Sequence, residues 1–445
     1  MKVLYNNINL AFYDKEIMME LLEQDVTVIY RSPDPKGVFV YSPAITVLKN
    51  GRYVFSNDMG GPRIKEHPHW QEVRNNGWFG QIFTSDDKGK TWQYRCARNF
   101  IFGRTIEGEN ALYLLGVESN NGSKNLVVYT SFDDGDTWDN GSFLTTNQSW
   151  HQAPCNVWIE NGTITLVMER CFNFEGEKTS GWNVASLAPV VMRAKLSCDL
   201  SKRESWTFSN EVRFRDVVDD DELEMHGIPF FHSMKHRDVM PKGTDLTECP
   251  GWLESNIVRI KDPAHYWYDE SGNTFHIFMR AHTAGTGYCC VMKAVISKEN
   301  DKEVITVMPQ TVPSGRKMVY LPMPGGQMKF HICWDEKTQL YWLLSTQATD
   351  SMRRKELLSK ERFNIPCDER QRLQLSFSKN MVDWCFAGMV AMGDSEKQSR
   401  HYASMEIDGD DLLITSRTGD ADTSSAHDTN LSTFHRVKNF RDLVY

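Results

Sequence analysis

Residues 80–92 read GQIFTSDDKGKTW, and residues 126–138 read LVVYTSFDDGDTW. Both contain the pattern Ser-x-Asp-x-Gly-x-x-Trp directly after a run of alternating apolar residues, which predicts a turn between two β-strands. In such a turn the Ser and Asp side chains bond backbone N–H groups, Gly takes a positive φ, and Trp covers the apolar face. The two copies lie 46 residues apart, from Ser85 to Ser131. That spacing is typical of one four-stranded blade of a β-propeller.

Weaker versions of the same pattern follow along the chain. Residues 191–206 and 374–384 keep the strand, the polar turn and the closing Trp but lack the Asp-Gly pair. A second hairpin pattern, in which Asn-Gly, Ser-Gly or Asp-Gly separates two apolar strands, occurs at residues 44–56, 156–168, 264–279 and 404–416. These repeats predict an all-β fold, a six-bladed β-propeller with four-stranded antiparallel blades. Pairing of an N-terminal with a C-terminal strand would close it and remove free sheet edges.

The chain shows no linker that would separate domains, so we expect one propeller domain over residues 1–445. Residues 1–34 are predicted to lead into a propeller that spans residues 35–440. Residues 214–250 carry the acidic run DDDELE and read as a long insertion loop over one face.

Composition excludes several classes of function. The net charge of −9 offers no basic surface for nucleic acid, and no stretch approaches the roughly 20 apolar residues of a membrane span. The ten cysteines are scattered without a CxxC pair, and no cysteine or histidine spacing matches a metal site, so neither metal nor cofactor is expected. The first residues lack signal-peptide features, so we expect a cytoplasmic protein, or a periplasmic or secreted one if an export signal was removed.

The paired turns resemble the Asp boxes of the sialidase superfamily, whose members are six-bladed propellers. The likeness extends over roughly residues 35–440, and the segments SNDMGGP, GWLESN, PGGQMKF and SSAHDTNLSTFHRV are similar to those of sialidase-like bacterial hydrolases. The resemblance implies an exo-acting glycoside hydrolase that releases a terminal sugar from a carbohydrate or glycoconjugate. Asp boxes lie away from the active site in that superfamily, so they imply the fold and not the chemistry.

The resemblance also assigns three positions that hold a substrate carboxylate in sialidases. The first arginine, in an Arg-Ile-Pro sequence, is absent here, because Ser42 precedes Pro43. Arg280 matches the second arginine, and Lys329 stands at the place of the third. Arg binds a carboxylate through two parallel hydrogen bonds, whereas Lys acts as a point charge. A neutral sugar or a uronic acid is therefore at least as strong an expectation as ordinary sialic acid.

The catalytic residues that the resemblance implies are Tyr402, Glu254 and Asp58. Tyr402 matches the nucleophile of sialidases, which are among the glycosidases that do not use two carboxylates. A tyrosine is a poor nucleophile at its ordinary pKa near 10, so a neighbouring carboxylate such as Glu254 must accept its proton. A neutral Asp58 could protonate the leaving oxygen if burial raises its pKa.

Other residues at predicted strand ends are candidates for binding substrate. They are Arg417, His151, Glu169, Trp252, His427 and Asp428, in addition to Arg280 and Lys329. Purely structural explanations stand beside these assignments. Glu254 and Arg280 could form an ion pair that braces two blades, and Asp58 before Gly60-Gly61 could merely shape a turn.

Two further catalytic arrangements remain open at this point. If Tyr402 is not the nucleophile, Glu254 with Asp428 or Glu169 could act as a carboxylate pair, whose separation would predict the stereochemistry. A polysaccharide lyase on the same scaffold would use His151, His427 or Tyr402 to remove a proton beside a uronate carboxylate.

A non-catalytic glycan-binding propeller is the third possibility. It would bind sugar without turning over any glycoside, and binding would survive Glu254→Gln. A lyase is distinguished from both a hydrolase and a binding protein by its product, an unsaturated sugar that absorbs ultraviolet light.

Overall fold

A computed structural model describes residues 20–73, 77–120, 123–172, 184–218, 251–282, 287–349 and 369–445. Within these ranges 27 β-strands form six antiparallel sheets. The predicted six-bladed propeller is thereby confirmed. Most of the predicted insertion at 214–250 lies outside the described residues.

The first three blades follow one another along the chain. Blade 1 contains β2 (Phe39–Val47), β3 (Tyr53–Gly60), β4 (Phe79–Ser85) and β5 (Gln93–Arg98). Blade 2 contains β6 (Ile101–Glu107), β7 (Leu112–Asn120), β8 (Ser123–Ser131) and β9 (Ser142–Phe143). Blade 3 has a broken innermost strand, β10 (Trp150–His151) and β11 (Trp158–Glu160), followed by β12 (Thr163–Cys171), β13 (Leu187–Lys195) and β14 (Thr207–Phe208).

The last three blades complete the ring. Blade 4 contains β15 (Gly251–Val258), β16 (Thr274–His282), β17 (Tyr288–Glu299) and β18 (Lys302–Thr311), with the short strands β19 (Lys317–Met318) and β20 (Tyr320–Pro322). Blade 5 contains β21 (His331–Asp335), β22 (Leu340–Thr346), β23 (Arg372–Ser378) and β24 (Cys385–Met392). Blade 6 contains β25 (Arg400–Asp408), β26 (Asp411–Thr418), β27 (Leu431–Val437) and the N-terminal β1 (Asp25–Arg31).

Helices in the described residues are single turns. The α-helical turns are α1 (Trp70–Val73) and α2 (Phe214–Val217), and 3₁₀ turns lie at Ile64–Glu66, Val184–Ser186, Arg203–Ser205 and Phe440–Leu443.

The ring closes through the two ends of the chain, as the sequence predicts. β1 pairs antiparallel with β27, from Asp25 opposite Arg436 to Arg31 opposite Leu431. The propeller therefore begins at Asp25, inside the stretch that the sequence assigns to the lead-in. β1 is hard to recognise because it is an outermost strand with mostly exposed or half-buried side chains, so its apolar alternation is weak.

The two Ser-x-Asp-x-Gly-x-x-Trp segments form turns with matching hydrogen bonds. In the first, the backbone N–H of Gly89 donates to Ser85 Oγ at 2.9 Å, and Trp92 Nε1 donates to the Gly89 carbonyl at 3.2 Å. Asp87 accepts from the backbone N–H of Thr91 at 2.9 Å. The equivalent distances in the second copy, from Ser131 to Trp138, are 2.9, 3.1 and 2.8 Å.

Strand register shows which end of the propeller carries these turns. Val47 at the C-terminal end of β2 lies level with Tyr53, which pairs with Ser85 at the start of the first turn. At the other end of the same sheet, Tyr41 pairs with Asp58. The turns and Asp58 therefore lie on opposite faces of the propeller.

Candidate active site

The innermost strands of four blades share one irregularity, a β-bulge near their N-terminal ends. The register shifts between Tyr41 and Ala44, Ile101 and Arg104, Leu253 and Asn256, and His401 and Ser404. In each bulge the first inserted residue has a positive φ: Ser42 (43°), Phe102 (58°), Glu254 (59°) and Tyr402 (50°). Such a backbone costs about 1–3 kcal/mol at a residue other than glycine and is concentrated at functional sites. Two of the three predicted catalytic residues thus occupy strained, equivalent positions.

In blades 1, 4 and 6 the bulge lies beside the C-terminal part of the second strand of the same blade. A bulge bends its strand and re-aims a side chain. The residue just before each bulge pairs with the second strand of its blade, Tyr41 with Asp58, Leu253 with Arg280, and His401 with Arg417. This geometry brings charged side chains from blades 1, 4 and 6 to one level of the propeller.

At the centre of this level, Arg280 joins Glu254 and Tyr402. Arg280 Nη1 donates to Tyr402 Oη at 3.0 Å and to Glu254 Oε2 at 3.3 Å, and Arg280 Nε donates to the Gln327 carbonyl at 2.9 Å. The negative charge of Glu254 also acts on the Tyr402 hydroxyl. Glu254 is only 1% exposed, whereas Tyr402 is partly exposed. Tyr402 is therefore the most exposed of these three residues, and a carboxylate and a guanidinium lie beside its hydroxyl.

The electrostatics of Tyr402 follow from these neighbours. Burial and the negative charge of Glu254 raise the pKa of Tyr402 to about 12, while the positive charges of Arg280 and Arg370 lower it. The phenol therefore keeps its proton at neutral pH. A base next to the hydroxyl is needed if the oxygen is to act as a nucleophile, and Glu254 occupies that place.

Three arginines surround the Tyr402 ring. Besides Arg280, the guanidinium carbon of Arg417 lies 5.2 Å from the ring centroid and that of Arg370 lies 6.0 Å from it. All three are buried. Sequence reasoning missed Arg370, because no motif surrounds it and it precedes β23 directly after a stretch with no repeat signal. The overall charge of −9 hides this local concentration of positive charge.

Lys329, which the sequence places at the third arginine, contacts the backbone of blade 6. Its ammonium donates to the Ala403 carbonyl at 2.6 Å, the Tyr402 carbonyl at 3.3 Å and Ser404 Oγ at 3.2 Å. Lys329 is 2% exposed. These contacts make it a support for the Tyr402 bulge, and the third cation beside the Tyr402 ring is Arg370.

Asp58 is enclosed in blade 1 and is 1% exposed. Burial raises its pKa to about 6, while a hydrogen bond with Ser42 and the charge of Arg417 lower it. Ser42 stands where the sialidase pattern has its first arginine. With a serine at this position, strand β2 places no guanidinium beside Asp58, and the carboxyl stays protonated to a higher pH than it would next to an arginine.

An aromatic surface borders the site on the side of blade 1. Trp78 is 43% exposed, and its ring lies 4.9 Å from that of Tyr41. Gly60 makes room for the indole, because a Cβ there would lie 2.5 Å from the Trp78 ring. The Arg417 guanidinium lies 4.2 Å from the Tyr41 ring centroid. Exposed aromatic faces beside convergent charged groups are typical of small-molecule sites; sequence reasoning missed both Trp78 and Tyr41.

His427 and Asp428 join this border from the loop between β26 and β27. His427 Nδ1 lies 2.8 Å from Asp428 Oδ1, and Tyr41 Oη donates to the same oxygen at 2.9 Å. The charge of Arg417 lowers the pKa of His427 to about 4, and the hydrogen bond from His427 lowers that of Asp428 to about 2. At neutral pH the pair is a neutral imidazole beside a carboxylate.

His151 and Glu169 lie on the blade 3 side. His151 Nδ1 is 2.7 Å from Glu169 Oε2, and the edge of the Phe102 ring faces His151 at a centroid distance of 4.8 Å. Glu169 is fully buried and accepts from both the backbone N–H and the hydroxyl of Ser255 at 2.9 Å. Glu169 therefore holds the bulge that carries Glu254.

The structure does not bring Trp252 to the site. Its indole is fully buried, donates to the Leu187 carbonyl at 2.8 Å and meets the Phe214 ring edge-on. In an innermost strand, residues on either side of a bulge face different neighbours, and Trp252 faces the core between blades 3 and 4.

The described residues contain no cluster of three His, Cys, Asp or Glu side chains placed to hold a metal ion. None of the helices in the described part of the chain has the length and apolar composition of a membrane span.

Comparison with known proteins gives likeness in fold only. No protein-family model and no curated protein matches the sequence. Among solved structures, a protein of unknown function from Dyadobacter fermentans is 11% identical over 94% of this chain and 98% of that chain, with a TM-score of 0.51. The α-L-arabinanase of Penicillium chrysogenum in complex with arabinobiose is 11% identical with the same coverage and a TM-score of 0.48. Trypanosoma rangeli sialidase in complex with sialic acid is 11% identical over 94% of this chain and 60% of that chain, with a TM-score of 0.35. Glycoside hydrolases are thus among the structural neighbours.

The buried ammonium of Lys329 predicts a pH-dependent stability. Burial lowers its pKa to about 8, against an ordinary value of 10.5 in the unfolded chain. Between these values the unfolded chain binds the extra proton, so this group favours folding more as the pH rises. We expect the free energy of unfolding of the wild type, minus that of Lys329→Met, to increase from pH 8 to pH 10.5 in urea titrations.

Lys90→Met removes an exposed lysine and is the matched control for loss of a surface charge. A difference between wild type and Lys329→Met that stays constant or falls over this range would contradict the burial of a charged Lys329.

Proposed function

We propose that this protein is an exo-acting glycoside hydrolase that releases a terminal sugar, with Tyr402 as its nucleophile. The observation that carries the proposal is the position of the Tyr402 hydroxyl, on a strained bulge, between the carboxylate of Glu254 and the guanidinium of Arg280. A tyrosine that merely packed in a strand would require neither the strain nor a buried carboxylate at its hydroxyl.

The proposed reaction has two steps and retains the anomeric configuration. In the first, the Tyr402 oxygen attacks the anomeric carbon while Glu254 accepts the phenolic proton, and Asp58 gives its proton to the departing glycosidic oxygen. In the second, water attacks the anomeric carbon of the glycosyl-tyrosine. Asp58 accepts a proton from that water, and Glu254 returns its proton to the phenolate. Each group ends in the state in which it began.

We propose that the terminal sugar carries an acidic group. Arg280, Arg370 and Arg417 surround the nucleophile, and buried guanidinium groups bind a carboxylate more strongly than surface ones because water screens them less. The aromatic surface of Trp78 and Tyr41 would lie beside the sugar or its leaving group. The acidic group could belong to a uronic acid or to another acidic sugar, which the substrate screen below distinguishes.

Tyr402→Phe and Glu254→Gln test the nucleophile and its base. In a screen of aryl glycosides that includes sialosides, uronides, fucosides and arabinosides, we expect turnover of an acidic glycoside. Both variants should lower kcat/KM by a factor of about 100 or more, since general-base assistance alone contributes that much. Tyr266→Phe, at a side chain that is 98% exposed, is the matched control and should retain full activity.

Circular dichroism would establish that the inactive variants are folded. Full activity in both Tyr402→Phe and Glu254→Gln would refute the assignment. Sugar binding without turnover of any glycoside, unchanged by Glu254→Gln, would instead favour a glycan-binding propeller.

Arg370→Met tests the acidic-sugar proposal. Because Arg370 would contact the substrate only through its acidic group, we expect KM for the acidic glycoside to rise about tenfold or more, and Arg370→Lys to recover part of the loss. KM for a neutral aryl glycoside should be unchanged, and any change in kcat that comes from the lost charge near Tyr402 should be the same for both substrates. An equal rise in KM for acidic and neutral substrates would show that Arg370 does not contact the acidic group.

The pH profile tests Asp58 as the general acid. With a pKa of about 6, the acid form is present below that pH and is lost above it, so kcat/KM should fall as the pH rises through about 6. The fall should be steep for alkyl glycosides and shallow for aryl glycosides with acidic leaving groups, which need no proton. Asp58→Asn should likewise lose activity mainly on alkyl glycosides. Equal sensitivity of both substrate types would exclude this role.

One observation favours a second function, a lyase acting on a uronide. Asp58 is enclosed, whereas Tyr402 is partly exposed among arginines that could neutralise a uronate carboxylate. A lyase would use Tyr402 to move a proton and would leave an unsaturated sugar. Ultraviolet absorbance of the product separates this reaction from hydrolysis.

A further inference from the structure

A cavity lined by the innermost strands lies away from Tyr402. Its volume is about 330 Å³. Its walls come from the parts of the innermost strands that follow the bulges, including Ala44–Thr46 of β2, Arg104 of β6, and Ser404 and Glu406 of β25. It therefore opens toward the face that carries the two Ser-x-Asp-x-Gly-x-x-Trp turns.

A layer of hydrogen bonds separates this cavity from Tyr402. Ser404 Oγ accepts from Lys329 Nζ at 3.2 Å and donates to the Pro43 carbonyl at 2.8 Å. Lys329 also bonds the carbonyl of Ala403. Ligands in the cavity and at Tyr402 would thus occupy two distinct sites.

Arg104 is the unusual residue of this cavity. It is 3% exposed, and Nε and Nη1 have no hydrogen-bond partner among the described residues. Nη2 contacts only the Met168 sulfur, at 3.7 Å. Glu169 acts on it electrostatically, but that carboxylate already accepts from Ser255 and lies beside His151. A buried guanidinium with two idle nitrogens is costly unless an anion satisfies it.

The other ionisable groups that line the cavity offset only part of the positive charge of Arg104. Burial raises the pKa of Glu406 to about 7 and holds that of His331 well below its ordinary range. At the rim, Lys261 Nζ lies 2.5 Å from Glu160 Oε1, so these two charges offset each other, and Glu336 lies 3.9 Å from the same ammonium. Near neutral pH Glu406 is therefore only about half ionised, and Arg104 supplies the positive charge inside the cavity.

The size and lining indicate what kind of anion fits. A single small ion would fill little of 330 Å³, and cavities of this size hold small organic molecules. Trp158, Trp334 and Ile332 give the cavity apolar walls, while Glu406 can share its proton with a ligand oxygen. A ligand with one carboxylate and a compact body of monosaccharide size meets both requirements.

We propose that this cavity binds a small carboxylate-bearing molecule through Arg104. The carboxylate would lie against the Arg104 guanidinium, and the body of the molecule would fill the space between Glu406 and the apolar walls. The ligand could be a sugar acid or an unrelated organic acid, which share this chemistry. The inference does not depend on the proposed function.

Isothermal titration calorimetry with glucuronate and acetate tests the proposal, in a buffer free of other carboxylates and at constant chloride. Arg370→Met is used as the background, because it weakens any binding at the candidate active site. We expect this variant to bind glucuronate, and the double variant Arg370→Met/Arg104→Met to bind it at least tenfold more weakly. Glucose is the neutral control. Binding of glucuronate but not acetate would assign the site to sugar acids, and binding of both to carboxylates in general.

Thermal unfolding supplies a readout that does not require activity. Without carboxylate, Arg104→Met should melt at the same temperature as the wild type or higher, because it removes an unpaired buried charge. Added glucuronate should raise the melting temperature of Arg370→Met but not that of the double variant. If Arg104→Met fails to fold, Arg104→Lys, which retains the charge with fewer donors, should show weakened binding.

Three outcomes would overturn the proposal. They are glucuronate binding that is unchanged by the Arg104 variants, glucose binding as strong as glucuronate binding, and no carboxylate binding at all in Arg370→Met. The readouts are binding and melting temperature, so failure of the glycosidase proposal would leave them unaffected.

Discussion

The whole site depends on how the bulges satisfy their backbone. A bulge takes backbone N–H and C=O groups out of the strand ladder, and a buried group without a partner is costly. Here a side chain from the preceding blade meets one of these groups in every case: Ser404 the Pro43 carbonyl, Ser56 the Gly103 carbonyl, Glu169 the Ser255 N–H, and Lys329 the Ala403 carbonyl. The site can therefore form only when the ring is closed, because each bulge needs a hydrogen bond with a side chain of the preceding blade.

This arrangement divides the polar residues near the axis into two groups. Glu254, Tyr402 and Arg280 face the space above the bulges, where a ligand can reach at least the tyrosine. Lys329 and Glu169 lie beneath them and hold backbone in place. Strain at the upper residues can persist because the lower residues over-determine the backbone. Hydrolysis at Tyr402 would thus rely on buried charges that never touch the substrate.

The sequence predicts features that depend on local pattern, and fails where distant segments meet. The two turns need only eight neighbouring residues, so the fold follows from them. Glu254, Arg280 and Tyr402 were predicted from the resemblance of short segments to sialidases, and the structure brings the three side chains together. Arg370 and Trp78 have no such pattern, and they reach the site only after blades 1, 5 and 6 have closed into a ring. Lys329 shows what a recognisable sequence pattern cannot predict. Its position is recognisable, but whether its ammonium faces a ligand or a carbonyl is decided by the neighbouring strand.

The buried positive charges near the propeller axis also differ in whether the protein itself supplies their partners. Buried cations occur at three levels, the arginines around Tyr402, Lys329 beneath them, and Arg104 below that. Salt and water screen buried charges far less than those at the surface, so this column acts on a nearby anion more strongly than the dispersed negative charge of a chain at −9. At the middle level, the Lys329 ammonium donates hydrogen bonds to backbone carbonyls, so it needs no ligand. At the upper level three arginines lie beside Tyr402, and at the lower level Arg104 has two nitrogens without a hydrogen-bond partner among the described residues. Those are the two levels where a bound carboxylate would stabilise the fold.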